Sequence, residues 1–385
     1  MLRPHSSPSK ATAAFSSIEE NDGEASPPLP THSDIAEYRR DPLSGAWVII
    51  SKERAQRPHD IEEVAQENLG VACPFCKGNE KLATPASVTY FLDGSTVTAS
   101  DPFFISGRRK RQDWQVRVIP NKYPAVDSDC GVHASEGIGN GLFESAPAFG
   151  VHEVIVESPN HVTSFGDVSP KQAELTLRAY QDRLRAMAQR PEIRYAQVFK
   201  NVGAAGGASL EHSHSQIVAT SILPSRIASR AARCAEYQTK KGSSLVGDLV
   251  NAERNEKVRM VAEFEGIAVH CPFASRFPFE VWLSPLEPQA HFGEASPARI
   301  NSLAQLLQRV VTAFERILPR PAYNFCLDTA PFEPSAAEGY HWRLEVFPRL
   351  AKAAGFEWAT GDFINTVPPE DAAAQLRPFF GAPFA

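Results

Sequence analysis

Two stretches of the chain place apolar residues at the spacing of an amphipathic helix. They follow Ser169-Pro170 and Ser296-Pro297, where the serine can cap the first turn and proline suits its first position. A short run of strand-forming residues comes after each stretch, at 196–199 and at 323–327. The pattern therefore predicts two similar helices, each leading into a strand.

The regions around these helices repeat at a fixed offset. Glu153 and Glu280 lie 127 residues apart, and the same spacing relates Val154 with Val281, Phe165 with Phe292, Gly166 with Gly293, and Ser169 with Ser296. Chance produces one or two such matches, whereas a run of them indicates an ancient duplication. Each copy is expected to run strand, turn, helix, strand, loop, strand.

Antiparallel strands with helices packed on them predict an α+β fold built from two duplicated halves. We expect a disordered tail over residues 1–36, because it is rich in Ser, Pro, Ala and Glu. An N-terminal half follows at 37–225, with extra strands at 47–50 and 116–119. A polar, helix-prone connector at 226–258 leads to the C-terminal half at 259–385.

Composition and charge argue against some classes of binding partner. The formal net charge of −6 provides no basic field for nucleic acid or an anionic membrane, and no apolar stretch reaches membrane-spanning length. The basic run at 108–111 is interpreted as a solvated loop. Six scattered cysteines without a secretory signal do not suit a disulfide scaffold, so a cytoplasmic location is expected.

The stretch from 202 to 216 carries the strongest chemical signal. It begins with the glycine- and alanine-rich run VGAAGGA, whose backbone N–H groups can approach a phosphate closely. If the following residues form a strand, His212, His214 and Gln216 project from one face. One histidine alone could be structural, but the loop and the His-x-His-x-Gln pattern together favour a catalytic site.

These residues resemble the galactose-1-phosphate uridylyltransferase branch of the histidine-triad superfamily. The resemblance runs from about residue 38 to about residue 365 and includes DPLSGAW at 41–47, RAQRP at 54–58, CPFC at 73–76, PFE at 278–280 and HW at 341–342. It implies two histidine-triad-like halves. It also implies a ping-pong transfer in which a histidine accepts and then passes on a nucleotidyl group.

By this resemblance His214 is the nucleophile. Gln216 donates a hydrogen bond to the phosphoryl oxygen and, unlike the third histidine of the related hydrolases, cannot serve as a base for water. The resemblance implies further substrate contacts from Asn201 and Ser209 near the phosphates, Asn121 at the nucleotide, and Arg54 and Arg57 as a phosphate-binding arginine pair. Because the family assembles its site between subunits, a homodimer is implied.

The CPFC segment suggests half of a metal site. Two thiols at this spacing can also form a redox pair, but the βαβ context of such pairs is missing. The resemblance completes a four-ligand zinc site with Cys73, Cys76, His161 and His212, and the closed ligand shell implies a structural role. The second-half metal site of some relatives is not matched, so one zinc per chain is expected, with His341 structural.

The leading functional hypothesis is uridylyl transfer between UDP-glucose and galactose 1-phosphate. A close alternative is ADP-glucose phosphorylase activity, in which adenylyl moves to phosphate, because serine rather than proline separates the two histidines. The segment at 355–365, including Phe356 as a candidate substrate contact, favours the same alternative. A nucleotide hydrolase and a catalytically dead zinc-stabilised binding module are the hypotheses from other classes.

Overall fold

The computed structural model describes residues 36–52, 72–98, 113–129, 138–139, 142, 144–319 and 321–381. The sequence-predicted tail, the arginine pair Arg54 and Arg57, and the basic run at 108–111 therefore lie outside the described residues, apart from residue 36. None of the described helices has the length and apolar character that a membrane span requires.

The strands are β1 (Glu37–Arg40), β2 (Trp47–Ile50), β3 (Val88–Phe91), β4 (Thr96–Thr98), β5 (Trp114–Pro120), β6 (Ile138–Gly139), β7 (Glu144–Ser145), β8 (Gly150–Val156), β9 (Tyr195–Val202), β10 (His214–Thr220), β11 (Met260–Phe264), β12 (Ile267–His270), β13 (Val281–Pro285), β14 (Tyr323–Asp328), β15 (Arg343–Pro348) and β16 (Phe363–Asn365). The helices are α1 (Pro170–Ala188), α2 (Ser225–Lys241), α3 (Leu245–Glu256), α4 (Pro297–Ile317), α5 (Pro334–Ala337), α6 (Gly355–Thr360) and α7 (Pro369–Leu376). This mixture of antiparallel strands and packed helices is the α+β class expected from the sequence.

The two halves repeat one topology within a single antiparallel sheet. In the first, β10 pairs with both β8 and β9; in the second, β15 pairs with both β13 and β14. The halves join where β9 pairs with β14. The strand order is β11-β12-β13-β15-β14-β9-β10-β8-β5-β3-β4. The duplication therefore produces one continuous sheet through the middle of the molecule.

The repeat is regular in its turns and helices but shifts in the strands β13 and β15. The turns Phe165–Asp167 and Phe292–Glu294, and the first residues of α1 and α4, keep the offset of 127. Across the sheet, however, one row of paired residues runs Val154, Gln216, Phe199, Cys326, Glu345, Trp282. Trp282 rather than Val281 thus occupies the position of Val154, a shift of one residue that reverses which face a side chain reaches.

One face of the sheet is covered by α1 and α4, which bury their apolar sides against inward residues such as Ile217, Phe325 and Leu344. On the opposite face, the described residues form apolar clusters towards its two ends. Phe75 and Trp114 belong to the cluster over the first half, and Trp282 packs in the cluster formed with α2 and α3 over the second. Between these clusters the central strands present their polar side chains.

The segment expected to be a connector consists of α2 and α3, which supply the second of these clusters. The strands β1, β2 and β16 form a separate three-stranded sheet, in which β16 runs parallel to β2. This small sheet joins the start of the N-terminal half to the end of the C-terminal half. The domain limits taken from the sequence remain predictions.

The expectation that His212 lies in the same strand as His214 is wrong, because β10 begins at His214. The backbone just before it also makes loop contacts. The Ser213 N–H donates to the Val162 carbonyl at 2.6 Å, and the His212 carbonyl accepts from the His214 ring at 2.7 Å. His212 and His214 consequently point to separate environments.

Helix α1 begins with a capping box that positions the turn before it. The Ser169 Oγ accepts from the Gln172 N–H, and the Gln172 side chain accepts from the Ser169 N–H. We expect Ser169→Ala to lower the free energy of unfolding by about 1 kcal/mol in chemical denaturation, while Ser169→Asp retains it. The control is Ser229→Ala, on the exposed side of α2. Equal losses at Ser169 and Ser229 would contradict the capping role.

Candidate functional site

Four potential metal ligands come together just before β10: Cys73, Cys76, His161 and His212. Their ligand atoms all lie within 4.8 Å of one another. The closest approaches are 3.3 Å from Cys76 Sγ to His161 Nδ1, and 3.6 Å from each sulfur to His212 Nδ1. Bond lengths of about 2.0–2.3 Å to a tetrahedral ion place ligand atoms roughly 3.3–3.8 Å apart, so the spacing fits such an ion.

The tautomer of His212 also suits metal binding. Its Nε2 lies 2.9 Å from the Ser158 carbonyl, an acceptor, so Nε2 carries the hydrogen and Nδ1 directs its lone pair at the sulfurs. Partial burial and the neighbouring Cys73 raise the pKa of the Cys76 thiol to about 11. A cation between the sulfurs would reverse that shift by favouring thiolates. The four residues therefore form a site that can hold a metal ion.

His214 is buried but keeps one ring nitrogen available. Its Nδ1 lies 2.7 Å from the His212 carbonyl and must donate to it, which leaves a lone pair on Nε2. The edge of the Phe75 ring packs against the imidazole, with 5.3 Å between ring centroids. Burial lowers the pKa of His214, and the Lys200 ammonium lowers it further. The ring is therefore held neutral, with an available lone pair on Nε2.

A buried ion pair supports the His214 backbone from the helix-covered face of the sheet. Lys200 Nζ contacts the Glu157 carboxylate at 2.5 Å, Ser213 Oγ at 2.9 Å and the His214 carbonyl at 3.0 Å. Both charged side chains are completely buried. Ser213 also donates to Glu157 at 2.6 Å. The pair thus fixes the two residues at which the loop becomes β10.

The glycine-rich loop lies against the second half of the sheet. Gly203 and Gly207 have φ angles of 72° and 83°, which disfavour other residues, and a Cβ on Gly203 would lie 2.9 Å from the Ala322 side chain. Asn324 Nδ2 donates to the Gly206 carbonyl at 2.7 Å and to Asn201 Oδ1 at 2.8 Å. The second half therefore shapes the loop beside His214.

Gln216 projects from the same face of β10 as His214, two residues further on. Its Oε1 lies 2.9 Å from His152 Nε2 and 3.4 Å from Asn121 Nδ2. The structure thus brings His214, Gln216, Asn121 and Asn201 to one region of the sheet.

Two other predicted contacts are placed less directly. Ser209 is exposed in the loop after the glycines. Phe356 lies on α6 and is 43% exposed, and no described hydrogen bond or ring contact joins it to the residues around His214. Arg54 and Arg57 are outside the described residues. These four substrate contacts remain predictions.

Sequence reasoning did not identify several residues that shape the site: Phe75, His152, Glu157, Lys200 and Asn324. Lys200 carried a weak signal, because a lysine inside an otherwise apolar strand and next to Asn201 needs a buried partner. The others are far from the motif in sequence. Only the tertiary structure shows that they meet it.

Comparison with known families agrees with this geometry. The family model described as the N-terminal domain of galactose-1-phosphate uridyl transferase matches residues 29–224. A second model, described as a domain of unknown function, matches residues 150–378. ADP-glucose phosphorylase of Arabidopsis thaliana is 32% identical over 89% of this chain and 92% of its own length. Galactose-1-phosphate uridylyltransferase of Thermotoga maritima is 28% identical over 89% and 98%.

Solved structures show the same relationship. A crystal structure of an Arabidopsis thaliana ADP-glucose phosphorylase with bound ADP-glucose matches with a TM-score of 0.74 and 32% identity, over 89% of this chain and 98% of that one. A uridylyltransferase structure matches with a TM-score of 0.65 and 25% identity, over 90% and 98%. The chain therefore belongs to the galactose-1-phosphate uridylyltransferase family and is an enzyme of the nucleotidyltransferase type.

Proposed function

We propose that this chain transfers the nucleotidyl group of a nucleotide-sugar through a covalent intermediate on His214. The observation that carries the proposal is the orientation of the His214 ring, because its Nδ1 is engaged by the His212 carbonyl and only Nε2 is free to react. Nε2 attacks the α-phosphorus, and the bond from that phosphorus to the bridging oxygen breaks. The sugar 1-phosphate leaves with the electron pair of that bond.

The second step restores the imidazole. An oxygen of the acceptor, either phosphate or a sugar 1-phosphate, attacks the α-phosphorus and the P–N bond breaks. The product is a nucleoside diphosphate or a new nucleotide-sugar. While the adduct exists the ring is positively charged, and its Nδ1–H continues to donate to the His212 carbonyl. Glycine-loop amides beside the ring suit the phosphoryl oxygens.

Gln216 explains transfer rather than hydrolysis. An amide donates a hydrogen bond to a phosphoryl oxygen but has no basic nitrogen that could deprotonate a water molecule. The adduct therefore survives until an acceptor with its own charged oxygen arrives.

Two substrate pairs have specific support. ADP-glucose with phosphate is favoured by the serine between the two histidines and by the similarity to ADP-glucose phosphorylase in both sequence and structure. UDP-glucose with galactose 1-phosphate is favoured by the family model and by uridylyltransferase relatives such as that of Haemophilus influenzae, which is 27% identical over 88% of this chain and 93% of its own length. We place the ADP-glucose reaction first.

The four-ligand cluster is assigned to a structural zinc ion. Two thiolates and two imidazoles are the donors that zinc prefers, and four protein ligands leave no open position for a reacting water. Bound there, zinc would tie the Cys73–Cys76 segment to the residues just before His214. A homodimer is proposed from the family resemblance. Exposed aromatic residues near the small sheet, Tyr38 at 66% and Trp358 at 79%, are consistent with such a contact surface.

We also propose that the protein is located in the cytoplasm. The five cysteines in the described part of the chain are free thiols, which suits a reducing compartment.

The nucleophile assignment is tested by His214→Gly. Incubation of the wild-type protein with a nucleotide-sugar should produce a protein adduct at His214, detected by mass spectrometry of the intact chain and of its peptides. The variant should form no adduct, because the only available lone pair on this ring is removed, while its thermal stability and metal content stay close to wild type. Turnover by the variant would show that another group attacks phosphorus.

The metal assignment is tested by His212→Ala. Elemental analysis should find one zinc per wild-type chain and markedly less in the variant, and the melting temperature should fall because metal binding contributes to folding free energy. The matched control is His214→Gly, two residues away, which removes an imidazole that is not a ligand. Equal zinc content in both variants would rule out this ligand set.

The substrate is decided by competition for one site. ADP-glucose and UDP-glucose are supplied together at equal concentration, and the mass of the adduct distinguishes adenylyl from uridylyl. We expect mainly the adenylyl adduct, released by phosphate as ADP. A dominant uridylyl adduct that galactose 1-phosphate discharges would select the other reaction. Steady release of nucleoside monophosphate without an acceptor would instead identify a hydrolase.

A further inference from the structure

The segment directly after β5, residues 121–125, directs two backbone N–H groups at the side chains around Gln216. The Ala125 N–H donates to His152 Nδ1 at 3.0 Å. A backbone N–H can only donate, so this ring nitrogen must be an acceptor without a hydrogen. The neutral imidazole of His152 therefore carries its hydrogen on Nε2.

The hydrogen on Nε2 points to Gln216. His152 Nε2 lies 2.9 Å from Gln216 Oε1, so the imidazole donates and the amide oxygen accepts. This contact distinguishes the oxygen of the Gln216 amide from its nitrogen, without reference to any substrate. The oxygen of Gln216 faces His152, and its NH₂ group faces the other way.

The orientation of the Asn121 amide is fixed in the same way, by a backbone N–H group. The Tyr123 N–H donates to Asn121 Oδ1 at 2.8 Å, which turns the Asn121 NH₂ group towards Gln216 Oε1 at 3.4 Å. Asn121 Nδ2 also lies 3.1 Å from His152 Nε2, and because both nitrogens carry hydrogens they converge on the shared oxygen. The amide oxygen of Gln216 thus receives two donors, both polarised by the same segment.

We propose that His152 is a positioning residue that orients the Gln216 amide, so that its NH₂ group faces the phosphoryl group under attack at His214. None of the described hydrogen bonds uses this NH₂ group, which leaves it for the substrate. Asn121 supports the same orientation, a role distinct from the nucleotide contact implied by resemblance. The inference rests on the proposed nucleotidyl transfer. Within that reaction, it identifies the residue that fixes the orientation of the Gln216 amide.

The orientation matters because the two ends of an amide have opposite polarity. With the NH₂ group towards phosphorus, Gln216 stabilises the negative charge that builds on a phosphoryl oxygen in the transition state. A rotated amide would instead direct its own oxygen at that charge. Removing a single donor of this kind from a catalytic site slows the chemical step by about 10²-fold or more.

Two substitutions of similar chemistry separate positioning from packing. In His152→Asn the shorter amide can still accept from the Ala125 N–H but cannot reach Gln216. In His152→Gln the longer amide can place a donor near the position of the ring Nε2. We expect the single-turnover rate of adduct formation to fall about 10²-fold in His152→Asn and to be largely restored in His152→Gln, with little change in the half-saturating nucleotide-sugar concentration in either.

A double variant decides whether His152 acts through Gln216. Gln216→Ala should slow adduct formation to a similar extent, and adding His152→Asn to it should cause no further loss, since the oriented group is already missing. Additive losses, or wild-type rates in His152→Asn, would overturn the proposal. Absence of any adduct in the wild-type protein would instead refute the proposed transfer reaction, so the two failures are distinguishable.

Discussion

The buried ion pair between Lys200 and Glu157 is the constraint on which the site depends. Two opposite charges in the interior are tolerated only if they stay together with every hydrogen-bonding atom engaged. Here the partners that complete the pair are Ser213 Oγ and the His214 carbonyl. Movement of the His214 backbone would therefore remove two of the three acceptors of the buried Lys200 ammonium, and a buried donor left unsatisfied costs about 1–3 kcal/mol. Because the buried ion pair must keep these acceptors, it holds the His214 backbone in place.

The side of β10 opposite this pair is held by other means. The proposed metal ligand His212 lies just before the strand, Phe75 packs on the His214 ring, and the segment after β5 contacts His152, which in turn contacts Gln216. Each device acts on a different atom of a segment only five residues long. A neutral imidazole and a directed amide can thus coexist beside a phosphate cradle without relying on substrate to arrange them.

Duplication supplied the framework, and the proposed nucleophile lies in the first copy. The paired row across the sheet places Glu345 where the first half has Gln216, and Arg343 therefore takes the place of His214. Arg343 is buried and pairs with Asp328 at 2.5 Å and with Glu345 at 2.6 Å, while Arg230 also contacts Asp328. These opposite charges form a buried ion-pair network. The second half contributes to the proposed site through Asn324, which contacts the glycine-rich loop.

The sequence alone determined what depends on local pattern and short spacing: the two capped helices, their strands, the glycine-rich loop, the His-x-His-x-Gln pattern and the closely spaced cysteine pair. Helix periodicity and motif spacing act over a few residues, so they can be read without coordinates. Only the tertiary structure decided that β10 begins after His212, that the repeat shifts by one residue in β13, and that Lys200, His152 and Asn324 reach the site. Those facts follow from strand register and from pairing of buried polar groups, which involve residues distant along the chain.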